Sequence, residues 1–416
     1  MGKDIKRWCI SNFKYVLLFP YKIEASKAKL IEEETLSKEY PRIWKYLIDN
    51  RSQLEKRERG SWAGRPDWYG YVYLKNMDKF GLPKIMTQVL ANSASFALDE
   101  VGRYCFVGGG NAGGYGITLK ENMSLSLEYI CGLLNSNLLD WYLRKISTPF
   151  RGGYYSYARR FIERLPIKVP KTDEEQKSTR EIEGLVKDVV TLRRAQNRLI
   201  DLWKEWSEGL RSGRMSLMEI LSQDLSHIRE GETGKAWTSR VSFYPSGSRE
   251  ELNKTFARFK VRGEVETPTL KIYGINGESQ EPLYELEFED RDLMLHVYCS
   301  LQQTLASKRV NTLEQLLAKT EVSIIKEVNR TPRELTPNIM KRVKQEIGGS
   351  GEKGTETDLA EIDTKIEDEE AKIDALVFKI YGLNEADIRT IFASLKAPTH
   401  HQAKVLAHFS SLKEQK

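Results

Sequence analysis

A chain of 416 residues with a formal charge of +6 can bury a sizeable core in two or three domains, and no apolar run in it approaches the ~20 residues of a membrane span. Cys9, Cys105, Cys131 and Cys299 are too scattered for a metal site or a disulfide framework, which fits a soluble protein of a reducing cytoplasm. The charge is unevenly spread: residues 1–170 hold 27 Lys/Arg against 17 Asp/Glu, and 14 of the 19 tyrosines, a bias expected of a surface that meets a polyanion.

Taken in order, Ile10–Pro20 reads as a strand ended by Pro20. Lys27–Tyr46 has helical spacing through Leu30, Leu36, Ile43 and Leu47, divided into two helices at Pro41. In Glu55–Asn76, Arg57, Arg59 and Arg65 alternate with Trp62, Trp68, Tyr69, Tyr71 and Tyr73, a mixture suited to phosphates and bases. The competing reading is a hairpin whose aromatic rings pack inward. Pro83–Val89 is strand-like, and Ser95–Leu98 with Tyr104–Val107 would flank a turn at Asp99–Arg103. Gly108, Gly110 and Gly113 form a GxGxxG, but strand-like Ile117–Lys120 follows where a phosphate-binding loop needs a helix N-terminus. A flexible loop at the polyanion-facing surface or a plain hairpin connection fits better.

The chain is organised around Arg103–Pro170, which reads as strand, glycine turn, strand, apolar helix and a loop carrying Phe150, Arg151, Gly152, Gly153, Tyr154, Tyr155, Tyr157, Arg159 and Arg160. Cations neutralise phosphates while tyrosine and arginine reach base edges, so a reader of both needs them closely spaced. Past Pro170, Thr172 and Asp173 cap a helix running to about Trp206, and a second heptad-like run extends from Leu359 to Ile380; the two stripes are expected to pack as an antiparallel pair, the alternative being that each docks separately onto globular neighbours. Between them, Trp237–Tyr244, Thr255–Val261, Leu270–Tyr273 and Leu283–Phe288 read as strands, Asp292–Ala306 and Leu313–Leu317 as helices. Gly348–Thr357 reads as a flexible linker. The expected organisation is α+β: a mixed unit at 1–170, a first long helix at 171–208, an α+β insertion at 209–347, linker and second long helix at 348–393, and a polar tail at 394–416 whose His400 and His401 are solvated.

Three stretches carry a resemblance. The run Leu133–Ser147 (LLNSNLLDWYLRKIS), followed by Gly152 and Gly153 and closed by Phe161–Ile167 (FIERLPI), resembles the C-terminal target-recognition region of TaqI-like adenine-specific DNA methyltransferases and fused type II restriction-modification enzymes. Gly2, Lys3, Asp4, Ile5, Lys6 and Arg7, with Tyr15–Pro20, resemble the start of that region, and Ile373–Phe392 resembles the last helix of those enzymes. The resemblance implies a sequence-specific reader of double-stranded DNA facing a methyltransferase catalytic domain or subunit, with the target adenine flipped toward that partner. On this reading Arg57, Arg59, Arg65, Arg103, Arg151, Arg159 and Arg160 neutralise the backbone, and Tyr69, Tyr71, Asn111, Tyr115, Tyr154 and Tyr155 touch bases.

The family's Asn-Pro-Pro-aromatic motif cannot be present, because no two of the 13 prolines are adjacent. No glycine-rich strand-to-helix loop with a following acidic residue marks a cofactor site, so S-adenosylmethionine is expected on the catalytic partner. The signature of clustered carboxylates and a lysine around a metal is incomplete, and the first histidine is His227, which leaves the basic half without the usual general base. Two alternatives stand beside the DNA reader: a complete methyltransferase or nuclease with an unconventional site, and a protein-interaction scaffold in phage defence.

Overall fold

Thr172 and Glu175 start the helix on which the other elements lean. The Thr172 hydroxyl accepts from the Glu175 amide at 3.2 Å and the Glu175 carboxylate accepts from the Thr172 amide at 3.2 Å, a reciprocal cap that opens the long helix Asp173–Leu210. The computed structural model describes residues 2–10, 16–25, 27–106, 113–222, 241–244, 252–256, 258–264, 269–275, 282–288, 291–325 and 359–414. Ile182, Val186, Val189, Val190, Leu199 and Trp203 form the buried stripe of the long helix, and Ile362, Ile366, Ile373, Leu376 and Phe378 that of the return helix Leu359–Ile380. Their contacts run in opposite order along the two helices, Glu174 with Lys379 at 3.0 Å, Arg193 with Glu370 at 3.2 Å and Gln196 with Asp363 at 2.6 Å. The pair is therefore antiparallel, as the two stripes predict.

Against this frame pack two short helices, Leu127–Asn135 and Asn137–Ile146, in place of the single apolar helix expected. Ser136 divides them: it sits in extended conformation, and its hydroxyl accepts from the Leu139 amide at 3.3 Å as an N-cap. Gly132 lets the first of them close on the frame, since a Cβ there would lie 2.6 Å from Ile182 Cγ2.

The strands of the basic half are β1 (Tyr21–Glu24), β2 (Lys27–Leu30), β3 (Lys84–Gln88), β4 (Leu90–Ala91), β5 (Phe96–Asp99), β6 (Gly114–Ile117), β7 (Pro149–Phe150) and β8 (Tyr154–Ser156). They make an antiparallel β1–β2 pair and two three-stranded sheets, ordered β5-β3-β6 and β4-β8-β7. Because β4 follows β3 directly, Lys84–Ala91 serves both sheets, pairing Thr87 with Tyr115 on one side and Ala91 with Tyr155 on the other. Trp8, fully buried with a left-handed φ of 73°, joins the first sheet by donating its amide to Phe96 O at 2.9 Å. Its indole donates to Glu370 at 2.7 Å, which ties the start of the chain to the return helix.

The segment between the long helices contributes an antiparallel four-stranded sheet, ordered Val241–Tyr244, Tyr284–Phe288, Thr269–Ile275 and Arg258–Glu264. A separate pair joins Arg211–Ser216 to Glu321–Ile325, and the helix Arg291–Ser307 buries Met294, Val297, Tyr298 and Leu301. Lys260 and Arg262 both donate to Glu367, and Tyr298 donates to Asp363, so this sheet and helix are fastened to the return helix by carboxylates. Mixed helices with several small antiparallel sheets make the chain α+β.

Several local expectations change. Residues 16–20 are not strand; β1 begins after Pro20, and Lys27–Leu30 alternates between exposed and half-buried positions as its hairpin partner rather than starting a helix. The helices there are Glu33–Glu39 and Pro41–Asp49, with Pro41 in the first turn, where its missing N–H has no helical partner to lose. Residues 104–106 are not strand either, because the amides of Arg103 and Tyr104 turn back onto the Asp99 carboxylate at 2.9 and 3.0 Å. The second long helix ends at Ile380; a turn at Gly382, with φ of 71°, leads into the helix Glu385–Leu395, capped reciprocally by Asn384 and Asp387. The stretch read as a polar tail holds the helix Thr399–Glu414, with Val405 and Phe409 buried. Its histidines are partly packed rather than fully solvated: His401 lies 2.9 Å from the fully buried Asp374, and His400 is half-buried, its pKa pushed down by burial to about 3. Most of the glycine-rich run, Gly108 and Gly110 included, and the linker at 348–357 lie outside the described residues.

Candidate nucleic-acid interface

The Arg57–Tyr71 segment closes over a small core of Leu36, Leu47, Trp68 and Tyr69, separate from the core around the long helices. Arg57 is half-buried and donates to three carbonyls: Leu54 at 2.6 Å, Gly70 at 2.9 Å and that of Trp68. Burial lowers its pKa. Two guanidinium groups lie over the Trp62 ring, Arg57 at 4.6 Å and Arg65 at 4.4 Å, and Arg65 is exposed but forks onto Asp67 at 2.7 and 2.8 Å. Arg59 is exposed on a left-handed turn. Tyr69 is buried and donates to Ile31 O at 2.7 Å; Tyr71 is half-buried and donates to Leu18 O, and burial raises the pKa of both hydroxyls. In this segment the rings pack inward and the exposed cations are Arg59 and Arg65.

A second group surrounds the β7–β8 hairpin. Pro149 pairs with Tyr155 and Phe150 with Tyr154, which leaves Arg151, Gly152 and Gly153 as the turn. Both glycines have left-handed φ, 85° and 76°, a conformation that side chains resist. Phe150, Arg151 and Tyr154 are all exposed at this tip, whereas Tyr155 is half-buried with the Arg144 guanidinium 5.2 Å from its ring. The short helix Arg159–Ile162 follows with Arg159 and Arg160 exposed, Arg159 paired with Glu163 at 3.1 Å and Arg160 lying 4.8 Å from the Phe161 ring. Tyr115 is exposed on β6, an edge strand of the neighbouring sheet, and Arg103 is exposed in the turn after β5. Asn111 lies outside the described residues.

Beneath the hairpin is a polar bracket that residue-by-residue reading of the sequence misses. Asp140 is buried and accepts from the Ala94 amide at 3.0 Å, from the Tyr157 hydroxyl and from Arg144 at 2.7 Å. Arg144 also donates to Asn92 O at 2.9 Å. Burial and then Asp140 hold the Tyr157 hydroxyl well above its ordinary pKa, while for Arg144 burial is outweighed by Asp140 and the cation is favoured. The available signal was the i,i+4 spacing of an acid and an arginine inside an otherwise apolar helix.

A polar recess of about 190 Å³, lined by Trp203, His296, Gln303 and Lys308 among others, lies between the long helix and the inserted segment and includes none of the candidate residues. Among the described residues no cluster of His, Cys, Asp and Glu could hold a metal, and no helix is long and apolar enough to cross a membrane.

The chain is 25% identical over 175 residues to the type II restriction enzyme and methyltransferase RM.Eco57I of Escherichia coli. That similarity covers 41% of this chain and spans only 17% of the relative's length. Residues 1–167, which carry Trp8, the three small sheets of the basic half and the hairpin with its bracket, match the TaqI-like C-terminal specificity domain.

Proposed function

We propose that residues 1–170 read a short sequence in double-stranded DNA for an adenine methyltransferase of restriction-modification type, and that the bond-making half lies on another domain or subunit. The observation that carries this reading is the hairpin tip: Phe150, Arg151 and Tyr154 are exposed together on a two-glycine turn, with Arg159 and Arg160 exposed just after it. Rings and cations so arranged serve both base edges and phosphates. Arg59, Arg65, Arg103, Arg151, Arg159 and Arg160 supply backbone neutralisation, and Tyr115 and Tyr154, with Asn111 on the glycine-rich loop, supply base contacts. Arg57, Tyr69, Tyr71 and Tyr155 hold those surfaces in place, since their polar atoms or rings are engaged internally. The similarity to RM.Eco57I supports a methyltransferase partner, which would bind S-adenosylmethionine and receive the flipped adenine. The long helices and the inserted segment at 209–347 brace the reader and hold it to that partner, in a cytoplasmic role that includes defence against phage DNA.

The double variant Arg151→Ala, Arg160→Ala tests this reading in duplex-binding titrations over a range of salt. For every phosphate no longer neutralised, the slope of log affinity against log salt falls by about 0.9. An unchanged slope refutes the assignment of these two arginines.

A further inference from the structure

We infer that Asp140, Arg144 and Tyr157 form a positioning set for the β7–β8 hairpin, so that discrimination between DNA sequences depends on them while affinity for duplex as such does not. This rests on the reading of residues 1–170 as a DNA reader.

The hairpin has little backbone support of its own. Strand β7 is two residues long, and β8 meets β4 through only two residue pairs, Leu90 with Ser156 and Ala91 with Tyr155. These ladders are short even with the Tyr157 amide donating to Val89 O at 2.8 Å just beyond them, so side-chain contacts at the base of the hairpin weigh on where the tip points. The bracket supplies them from three directions at once. Asp140 and Arg144 stand one turn apart on the helix Asn137–Ile146, Tyr157 follows β8 directly, and Asn92 and Ala94 belong to the loop after β4. One buried carboxylate gathers the Ala94 amide, the Tyr157 hydroxyl and the Arg144 guanidinium, and that guanidinium faces the Tyr155 ring. Tyr155 pairs with Pro149 across the hairpin, so the ring held by Arg144 belongs to the pair at the base of the turn.

Contacts to bases and to phosphates respond differently to loss of such a support. A base contact tolerates displacement of only about 0.5 Å, whereas the counterion-release contribution of a cation near the backbone is insensitive to shifts of that size. Loosening the bracket therefore removes sequence preference and leaves the salt-dependent, non-specific binding in place. Arginine is needed for the geometry as well as the charge, because one Nη2 donates to both Asn92 O and Asp140 while the flat guanidinium lies 5.2 Å from the Tyr155 ring; a lysine at 144 has no such plane to set against the ring.

A pool of randomised duplexes, selected on the full chain, yields a preferred duplex, and a scrambled duplex of equal length serves as control. Binding of both is then measured at several salt concentrations for the parent chain, Arg144→Met, Arg144→Lys and Tyr157→Phe, with thermal melts to confirm folding. We expect Arg144→Met to lower the preference ratio about 10-fold or more, the discrimination supplied by a single base-reading side chain, with the scrambled duplex bound as before and its salt slope unchanged. Arg144→Lys, which keeps a cation beside Asp140, should stay folded and still lose most of the preference. A folded Arg144→Lys chain with the parent preference, or equal weakening on both duplexes, overturns the inference, as does a parent chain that binds duplex with no preference. A parent chain that binds no duplex at any salt overturns instead the functional reading beneath it.

Discussion

Glu370 offers a direct test of how the first residues, the long helix and the return helix are joined. Its buried carboxylate accepts from Trp8 at 2.7 Å, Arg193 at 3.2 Å and Arg7 at 3.3 Å. Burial alone would raise its pKa, but Arg7, Arg193 and Lys260 more than offset it and hold the group at about 2, against an ordinary value of 4.5. A carboxyl depressed by that amount on folding contributes about 3 kcal/mol at neutral pH. The sign follows from the depression. The stabilisation is complete above the unfolded value, and it is lost as pH falls from 4.5 toward 2, leaving about half of it at pH 3. Glu367 runs the same course, since Lys260 and Arg262 outweigh its burial and hold it at about 2. Glu370→Gln keeps the shape but leaves two guanidinium groups facing an amide. Urea unfolding followed by circular dichroism should show a loss of about 3 kcal/mol at pH 7 that narrows to about half by pH 3. A gap of the same size at both pH values would mean that packing, and not charge, is what the substitution removes; a gap below about 0.5 kcal/mol at pH 7 would refute the coupling altogether.

Three further outcomes follow from named contacts. Gly132→Ala should destabilise the chain by about 1–3 kcal/mol in thermal melts, because the added methyl meets Ile182 and Val186 of the long helix. Tyr69→Phe should cost about 1 kcal/mol, from the partly buried bond to Ile31 O, and leave duplex affinity unchanged; a loss of affinity with stability intact would make Tyr69 a DNA contact after all. Asp374→Leu should cost about 3 kcal/mol and raise hydrogen exchange across Thr399–Glu414, since Asp374 accepts from the Asn137 amide at 2.7 Å, from its side chain at 2.6 Å and meets His401 at 2.9 Å.

What the sequence made legible and what it hid have the same physical origin. The two long helices, their antiparallel pairing and the strands Lys84–Gln88 and Tyr284–Phe288 are written in local periodicity and caps such as Thr172 with Glu175, which a short window contains. The ring-and-cation alternation of Arg57–Tyr71 was equally visible, but composition cannot say which way a ring faces, and here Trp68 and Tyr69 close a small core. The buried carboxylates were not legible, because Asp363, Glu367, Glu370 and Asp374 occur at the same three- and four-residue intervals as the apolar stripe beside them. Their partners, from Arg7 to His401, come from remote parts of the chain. That hidden pairing changes the meaning of the charge asymmetry. Part of the positive charge of residues 1–170 is balanced internally: Arg7 faces Glu370 of the return helix, which lowers the excess itself, while Lys84 faces Asp99 at 2.9 Å and Arg144 faces Asp140 within the same stretch. Such cations add little to the field outside the protein, since each is balanced within a few ångströms. The field that a duplex meets comes from the exposed cations, and on the proposed reading the removal of the arginines at 59, 65, 103, 151, 159 and 160, and not that of the better-ordered buried ones, should set the salt dependence of binding.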